Sequence, residues 1–266
     1  MILALQESLR SASAFTSLKT HHLAMQAALW LPAGSGKLWL SAALTACFAV
    51  LGRLARGVTT AGAVAGALAC FALLQGLGTG GFSALLMVFA LTWIATRIGY
   101  RRKQQLGTAE PRTGRGALQV LANLGIASVC AFAYATIWPD WRLAIAACAA
   151  LAEAAADTVS SEIGQAAGGL PRLVTTWRKA APGTDGAVSF AGTLAGTAAA
   201  VIVGLTCVVT GLLPWHSSAI CAGAAVIGML ADSFLGATLE RKGLLDNNAV
   251  NFLSTTIAAA AAFLFS

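Results

Sequence analysis

Eight apolar runs alternate with short polar breaks along the chain, at 38–52, 58–77, 80–99, 117–138, 141–159, 187–213, 217–239 and 249–265. The runs are continuous rather than alternating, which predicts helices and not strands. Crossing a hydrocarbon core takes about 20 mostly apolar residues per helix. Lipid supplies no water to the backbone, so spanning segments must satisfy their own hydrogen bonds. Stretches such as "TTAGAVAGALA" and "AGTLAGTAAA" are rich in small residues, which lets helices approach closely where lipid gives no hydrophobic drive. The pattern predicts an all-α, polytopic integral membrane bundle of about eight spans. Residues 1–37 stand apart as an N-terminal extension. In it, Ile2, Leu5, Leu9 and Ala12 share one helical face, so an interfacial helix and an unstructured leader both stay open. No cleavable signal peptide is evident.

Composition agrees: 58% of the residues are hydrophobic and 10% charged, against roughly 45–50% and about 25% in soluble domains. All six cysteines lie within apolar runs, with no CxxC or CxxH spacing, and the three histidines form no ligand pattern. Small buried apolar roles suit these cysteines better than a disulfide or metal framework.

Charge adds sidedness. Thirteen of the 17 lysines and arginines fall in alternate loops: 53 and 56; 97, 101–103, 112 and 115; 172, 178 and 179; 241 and 242. The opposite loops carry only Arg142. The positive-inside rule assigns the basic loops to the cytoplasm, with a bacterial inner membrane as the expected location.

Topology explains the arginines but not the acids and amides beside them. Only ten residues are Asp or Glu, yet "ADTVSSEIG" places Asp157 and Glu162 five apart at the end of an alanine-rich run. An ionisable residue inside a span is a functional candidate by default. Glu153 lies one turn before Asp157, deeper in the membrane. Further polar clusters fall on the same side: "GRGALQVLAN" with Asn123, "PRLVTTWRKAAPGTDGAVSFAGT", and "ADSFLGATLERKGLLDNNAVNFLST". Asp157, Glu162, Asp232 and Asp246 offer hard oxygen ligands of the kind Mg²⁺ takes alongside substrate phosphates. Asn247, Asn248 and Asn251 add amides, and Asn247 and Asn251 share a helical face. Arg172, Arg178 and Lys179 are phosphate-binding cations. "EAAADTVSSE" and "GMLADSFLGA" share an Ala-Asp-hydroxyl step, which reads as a short trace of internal duplication.

"ADTVSSEIG", "RLVTTWRKAAPGTDGAVSFAGTLAG" and "ADSFLGATLERKGLLDNNAVNFLST", with "LTWIATRIGYRRKQQLG" and "GRGALQVLAN" upstream, resemble the integral membrane family called domain of unknown function ninety-two. The likeness covers roughly Leu54 to Phe265. That family includes transmembrane protein nineteen of animals and the phytyl-phosphate kinase of plants and cyanobacteria. The resemblance implies a single transmembrane kinase-like domain over 38–266 that transfers the γ-phosphoryl of a nucleoside triphosphate, CTP favoured, to a prenyl monophosphate such as phytyl or geranylgeranyl phosphate. No P-loop or kinase-type glycine-rich loop occurs, so the nucleotide site would be built from helix ends and loops. In this reading Asp157 and Asp232 hold Mg²⁺, with Glu162 and Asp246 beside them. Arg172, Arg178 and Lys179 meet the nucleotide phosphates, with Lys179 acting in catalysis. Lys103, Arg115 and Arg241 meet the acceptor phosphate or the lipid surface. Thr176, Thr184, Ser189, Asn247, Asn248 and Asn251 donate or accept hydrogen bonds. The expected partners are the nucleotide, a prenyl-phosphate lipid and the bilayer, with no nucleic acid; oligomeric state stays open. The alternatives are a CDP-lipid-forming nucleotidyltransferase and a transporter of a small anionic or lipid-phosphate substrate. Carriers gather polar residues near the midplane, whereas here they gather at one rim.

Overall fold

A computed structural model describes residues 35–266. Most of the N-terminal extension, and with it the choice between an interfacial helix and an unstructured leader, lies outside the described residues. The helices are α1 (Ser35–Leu54), α2 (Thr60–Arg97), α3 (Tyr100–Leu106), α4 (Ala117–Thr136), α5 (Trp141–Ala167), α6 (Phe190–Val209), α7 (Trp215–Thr238) and α8 (Asn247–Phe265). A two-stranded hairpin, β1 (Arg172–Leu173) against β2 (Ala187–Val188), joins α5 to α6. A 3-10 turn at Glu240–Lys242 follows α7. Among the described residues, seven helices are long and apolar enough to cross a membrane. The chain is an all-α integral membrane protein.

Helix α2 has 38 residues, roughly 57 Å if straight, nearly twice the ~30 Å hydrocarbon core. It is not straight. Gly78 adopts φ 62° and ψ −151°, a conformation open essentially to glycine alone, and the chain folds back there. A β-carbon on Gly81 would lie 3.1 Å from the Leu73 carbonyl oxygen, eight residues back, where a straight helix would leave about 12 Å. At the other end, Trp93 Nε1 and Arg97 Nη2 both donate to the Ala55 carbonyl, at 3.1 and 2.8 Å. The last turn of α2 thus returns beside its first. The apolar runs read at 58–77 and 80–99 are the two arms of this hairpin, so the seven long helices supply eight crossings.

Helix α5 is the axis of the bundle, with 83% of its most apolar stretch buried. It packs against α2, α4, α6, α7 and α8. Its sequence explains the position: Ala144, Ala146, Ala147, Ala149, Ala150 and Ala152 keep it thin enough for neighbours on every side. The outer helices turn large apolar side chains such as Leu118, Phe190 and Val209 outward to lipid. With the hairpin counted as two crossings, every basic loop falls at one end of the bundle.

Candidate functional site

Four helices bring polar side chains together one to three turns inside this basic end. Asp157 comes from α5, Asp232 from α7, Asn251 from α8 and Asn123 from α4. The carboxyl groups of Asp157 and Asp232 face each other within hydrogen-bonding reach. Two carboxylates so placed need a proton or a cation between them. With its amide oriented donor to acceptor, Asn251 Nδ2 donates to Asp232 Oδ2 and to the Asn247 carbonyl, both at 3.2 Å. Its Oδ1 accepts from Asn123 Nδ2 at 3.2 Å. Asn123 also donates to the Gln119 carbonyl at 2.8 Å. The amides therefore hold the Asp232 carboxylate in one orientation.

Beneath the pair lies Glu153, only 1% exposed. Its carboxyl group meets Ser254, but Oε1 has no hydrogen-bond partner. A buried polar atom left this way calls for an explanation by strain, water or an ion. Gly228 makes the approach of α7 workable, because a β-carbon there would lie 2.6 Å from Glu153 Cγ and 2.8 Å from the Ser254 carbonyl oxygen. Above the pair, Arg115 acts electrostatically on Asp157, and its Nη2 donates to Thr158 Oγ1 at 3.4 Å. The Arg115 backbone is locked against the segment before α2: its N–H donates to the Gly57 carbonyl and its carbonyl accepts from Thr59 N–H, each at 3.0 Å. Glu240 stands within electrostatic reach of Asp157, Asp185 and Asp246 at the rim.

The remaining sequence-derived candidates are distributed as follows. Lys103 is fully buried and ion-paired to Glu162 Oε2. It also donates to the carbonyls of Ala95, at 3.1 Å, and Thr96, at 2.8 Å. The pair pins α3 to α2 and α5. Asp246 caps α8, its Oδ1 accepting from Ala249 N–H at 2.8 Å. With Asn248 it lines a shallow groove between α4 and α8. Asn247 contributes its carbonyl to Asn251. Among the described residues, no three His, Cys, Asp or Glu side chains form a ready metal cage. The structure offers two carboxylates and an amide instead.

Arg172, Thr176, Arg178 and Lys179 are exposed on the β-hairpin. Arg172 Nη1 donates to the Trp177 carbonyl at 2.7 Å, bracing the turn. Arg178 and Lys179 project from it without an ion-pair partner among the described residues. Thr184 closes its own turn on the Ala181 carbonyl at 2.8 Å, and Ser189 caps α6 through Gly192 N–H at 3.1 Å. Gly186 packs against Gly236 and Ala237, which seats the hairpin on the end of α7, a turn beyond Asp232. Arg241 is exposed in the 3-10 turn. Ser254, Gln119, Arg56 and Arg97 also gather around this region and carried no sequence signal. A serine or glutamine in a helical run reads like any small or polar residue, and the arginines read as topology alone.

The profile of the integral membrane protein DUF92 family matches residues 43–259. An uncharacterized membrane protein of Methanocaldococcus jannaschii is 33% identical over 223 residues, covering 83% of this chain and 91% of its own. An uncharacterized membrane protein of Synechocystis is 36% identical over 190 residues, covering 70% of this chain and 74% of its own. The chloroplastic protein VTE6 of Arabidopsis thaliana is 30% identical over 221 residues, covering 79% of this chain and 66% of its own. No solved structure matches. By this match over most of its length, shared with archaeal, cyanobacterial and plant proteins, the chain belongs to the DUF92 family of integral membrane proteins.

Proposed function

We propose that the protein is a membrane-embedded prenyl-phosphate kinase, which moves the γ-phosphoryl group of a nucleoside triphosphate, CTP favoured, onto a prenyl monophosphate. The observation that carries this reading is the Asp157–Asp232 pair, set at the basic end beside Arg115. The family resemblance to phytyl-phosphate kinase supplies the reaction class.

Phosphoryl transfer asks mainly for positioning and charge neutralisation. The acceptor phosphate is a nucleophile at neutral pH, so no strong base is needed. Facing carboxylates, an amide that orients one of them and an orphaned Glu153 oxygen below fit a divalent cation. Asp157 and Asp232 would hold Mg²⁺, which when bound supplies positive charge to the nucleotide phosphates. Arg178 and Lys179 bind the nucleotide phosphates from the hairpin, and Arg115 holds the acceptor phosphate near Asp157. The carbon skeleton of the acceptor stays at membrane depth, so the reaction takes place at the cytoplasmic rim.

A nucleotide labelled at one phosphorus at a time, given with geranylgeranyl phosphate to purified protein, tests the reaction. γ-Label in the lipid with release of nucleoside diphosphate is expected. α-Label in the lipid with free pyrophosphate would overturn the kinase in favour of a nucleotidyltransferase. Label accumulating across proteoliposomes with none in lipid would identify a transporter.

A further inference from the structure

A second cavity-forming region adjoins the acid pair. Between α1, the two arms of α2 and α4 lies a largely apolar cavity of about 110 Å³. Phe48, Gly66, Leu85 and Phe89 line its deep part, and Asn123 and Ala154 its inner wall. Ala154 precedes Asp157 by three residues on α5, so it shares a face with the candidate active site. Arg56, Arg97 and Arg115 stand at the mouth against a single acid, Glu110. None of the three arginines is in an ion pair among the described residues. Arg97 stacks on Trp93 at 3.5 Å and otherwise donates only to backbone carbonyls. From Arg97 to Leu85 the wall runs 12 residues along one helix, roughly 18 Å.

We propose that this cavity receives the hydrocarbon tail of a single-chain lipid monophosphate, whose phosphate rests on Arg56, Arg97 and Arg115 next to Asp157. The proposal rests on the kinase reading for its acceptor and specifies which lipids qualify. Three arginines around an apolar shaft match a ligand with one anionic end and one apolar end. The small volume argues for one chain: about 110 Å³, at roughly 10–15 Å³ per water-sized probe, seats the head-proximal part of a single tail. The rest of the tail leaves for the bilayer beside α1, whose main contacts are with the α2 hairpin. Gly66 sets the bore. A β-carbon there has a single neighbour, Phe48 Cε1 at 4.0 Å, so a larger side chain would extend into the shaft instead of into a packed helix.

The test uses the full chain in lipid nanodiscs. Farnesyl phosphate carrying a diazirine partway along its hydrocarbon chain is photolysed, and the labelled residues are mapped. Label on Phe48, Gly66, Leu85 or Phe89 is expected, competed by unlabelled farnesyl phosphate and not by diacyl phosphatidic acid. Gly66→Leu should abolish that label, and Arg97→Gln should weaken competition by tenfold or more, about the loss of one charge-assisted contact. Should Gly66→Leu fail to fold, the wild-type map and the competition decide alone. Label outside the cavity, or equal competition by phosphatidic acid, overturns the proposal. γ-Phosphoryl transfer to farnesyl phosphate with label only elsewhere would leave the kinase standing and remove the cavity. Cavity label without any phosphoryl transfer would keep the cavity and overturn the kinase.

Discussion

Asp157 and Asp232 are reached from separate helices and meet at one point, which makes single substitutions informative. Asp157→Asn and Asp232→Asn should each lower phosphoryl transfer by about 10²–10³, the loss of one well-placed charge contact, with normal membrane insertion and purification. Near wild-type turnover in both would reduce the pair to a structural role. Glu153→Gln should be milder, because Glu153 lies below the pair and faces Ser254 and Gly228. Lys103 and Glu162 call for a different expectation. Lys103→Met leaves Glu162 buried without its cation, a change that destabilises by roughly 3–5 kcal/mol. Lys103→Met with Glu162→Leu removes both charges and should recover most of the thermal stability. A double variant no more stable than the single one would show that the pair is not the link between α3 and α5.

Two glycines decide how the elements meet. Gly78 holds the turn of the α2 hairpin at φ 62°. Gly78→Ala forces a β-carbon into that conformation, with strain of about 1–3 kcal/mol, visible as a lower melting temperature in detergent. Gly228 matters through the site. A β-carbon there would meet Glu153 and Ser254, so Gly228→Ala should push α7 away from α5 and separate Asp232 from Asp157. Activity should fall more steeply than stability, which for overpacking drops by about 1–3 kcal/mol. Equal losses of the two would argue that the helix spacing is not catalytic. The two-residue strands β1 and β2 were not legible as strands in the sequence. They form because turns at Trp177 and Gly183–Gly186 bring 172 and 188 together, and no alternating pattern announces a pairing that short.

The whole bundle has one sidedness. Loops 100–116, 165–186 and 240–248 are expected in the cytoplasm. Single cysteines at Gln104, Ala180 and Gly243, on a cysteine-free background, should resist an impermeant thiol reagent in intact cells. Labelling of all three from outside would invert the arrangement and place the acid pair on the other face.

Apolar run length and loop charge were sufficient for the membrane bundle, its crossings and the gathering of polar groups at one end. Those are one-dimensional properties: a run of apolar residues has only one stable place to go, and its basic flanks follow the membrane. Which acids share a site is a property of how helices rotate and cross. Asp157 and Asp232 lie 75 residues apart, and they meet because Gly228 and the alanines of α5 let α7 lie against it. Glu162, only five residues from Asp157, turns to Lys103 because five residues along a helix rotate a side chain by roughly 140°. Asn248 lines the groove between α4 and α8, while Asn251, three residues on, reaches Asp232 and Asn123. The arginine-mouthed cavity had no linear signature at all, because its walls come from four helices and two loops that only packing brings together.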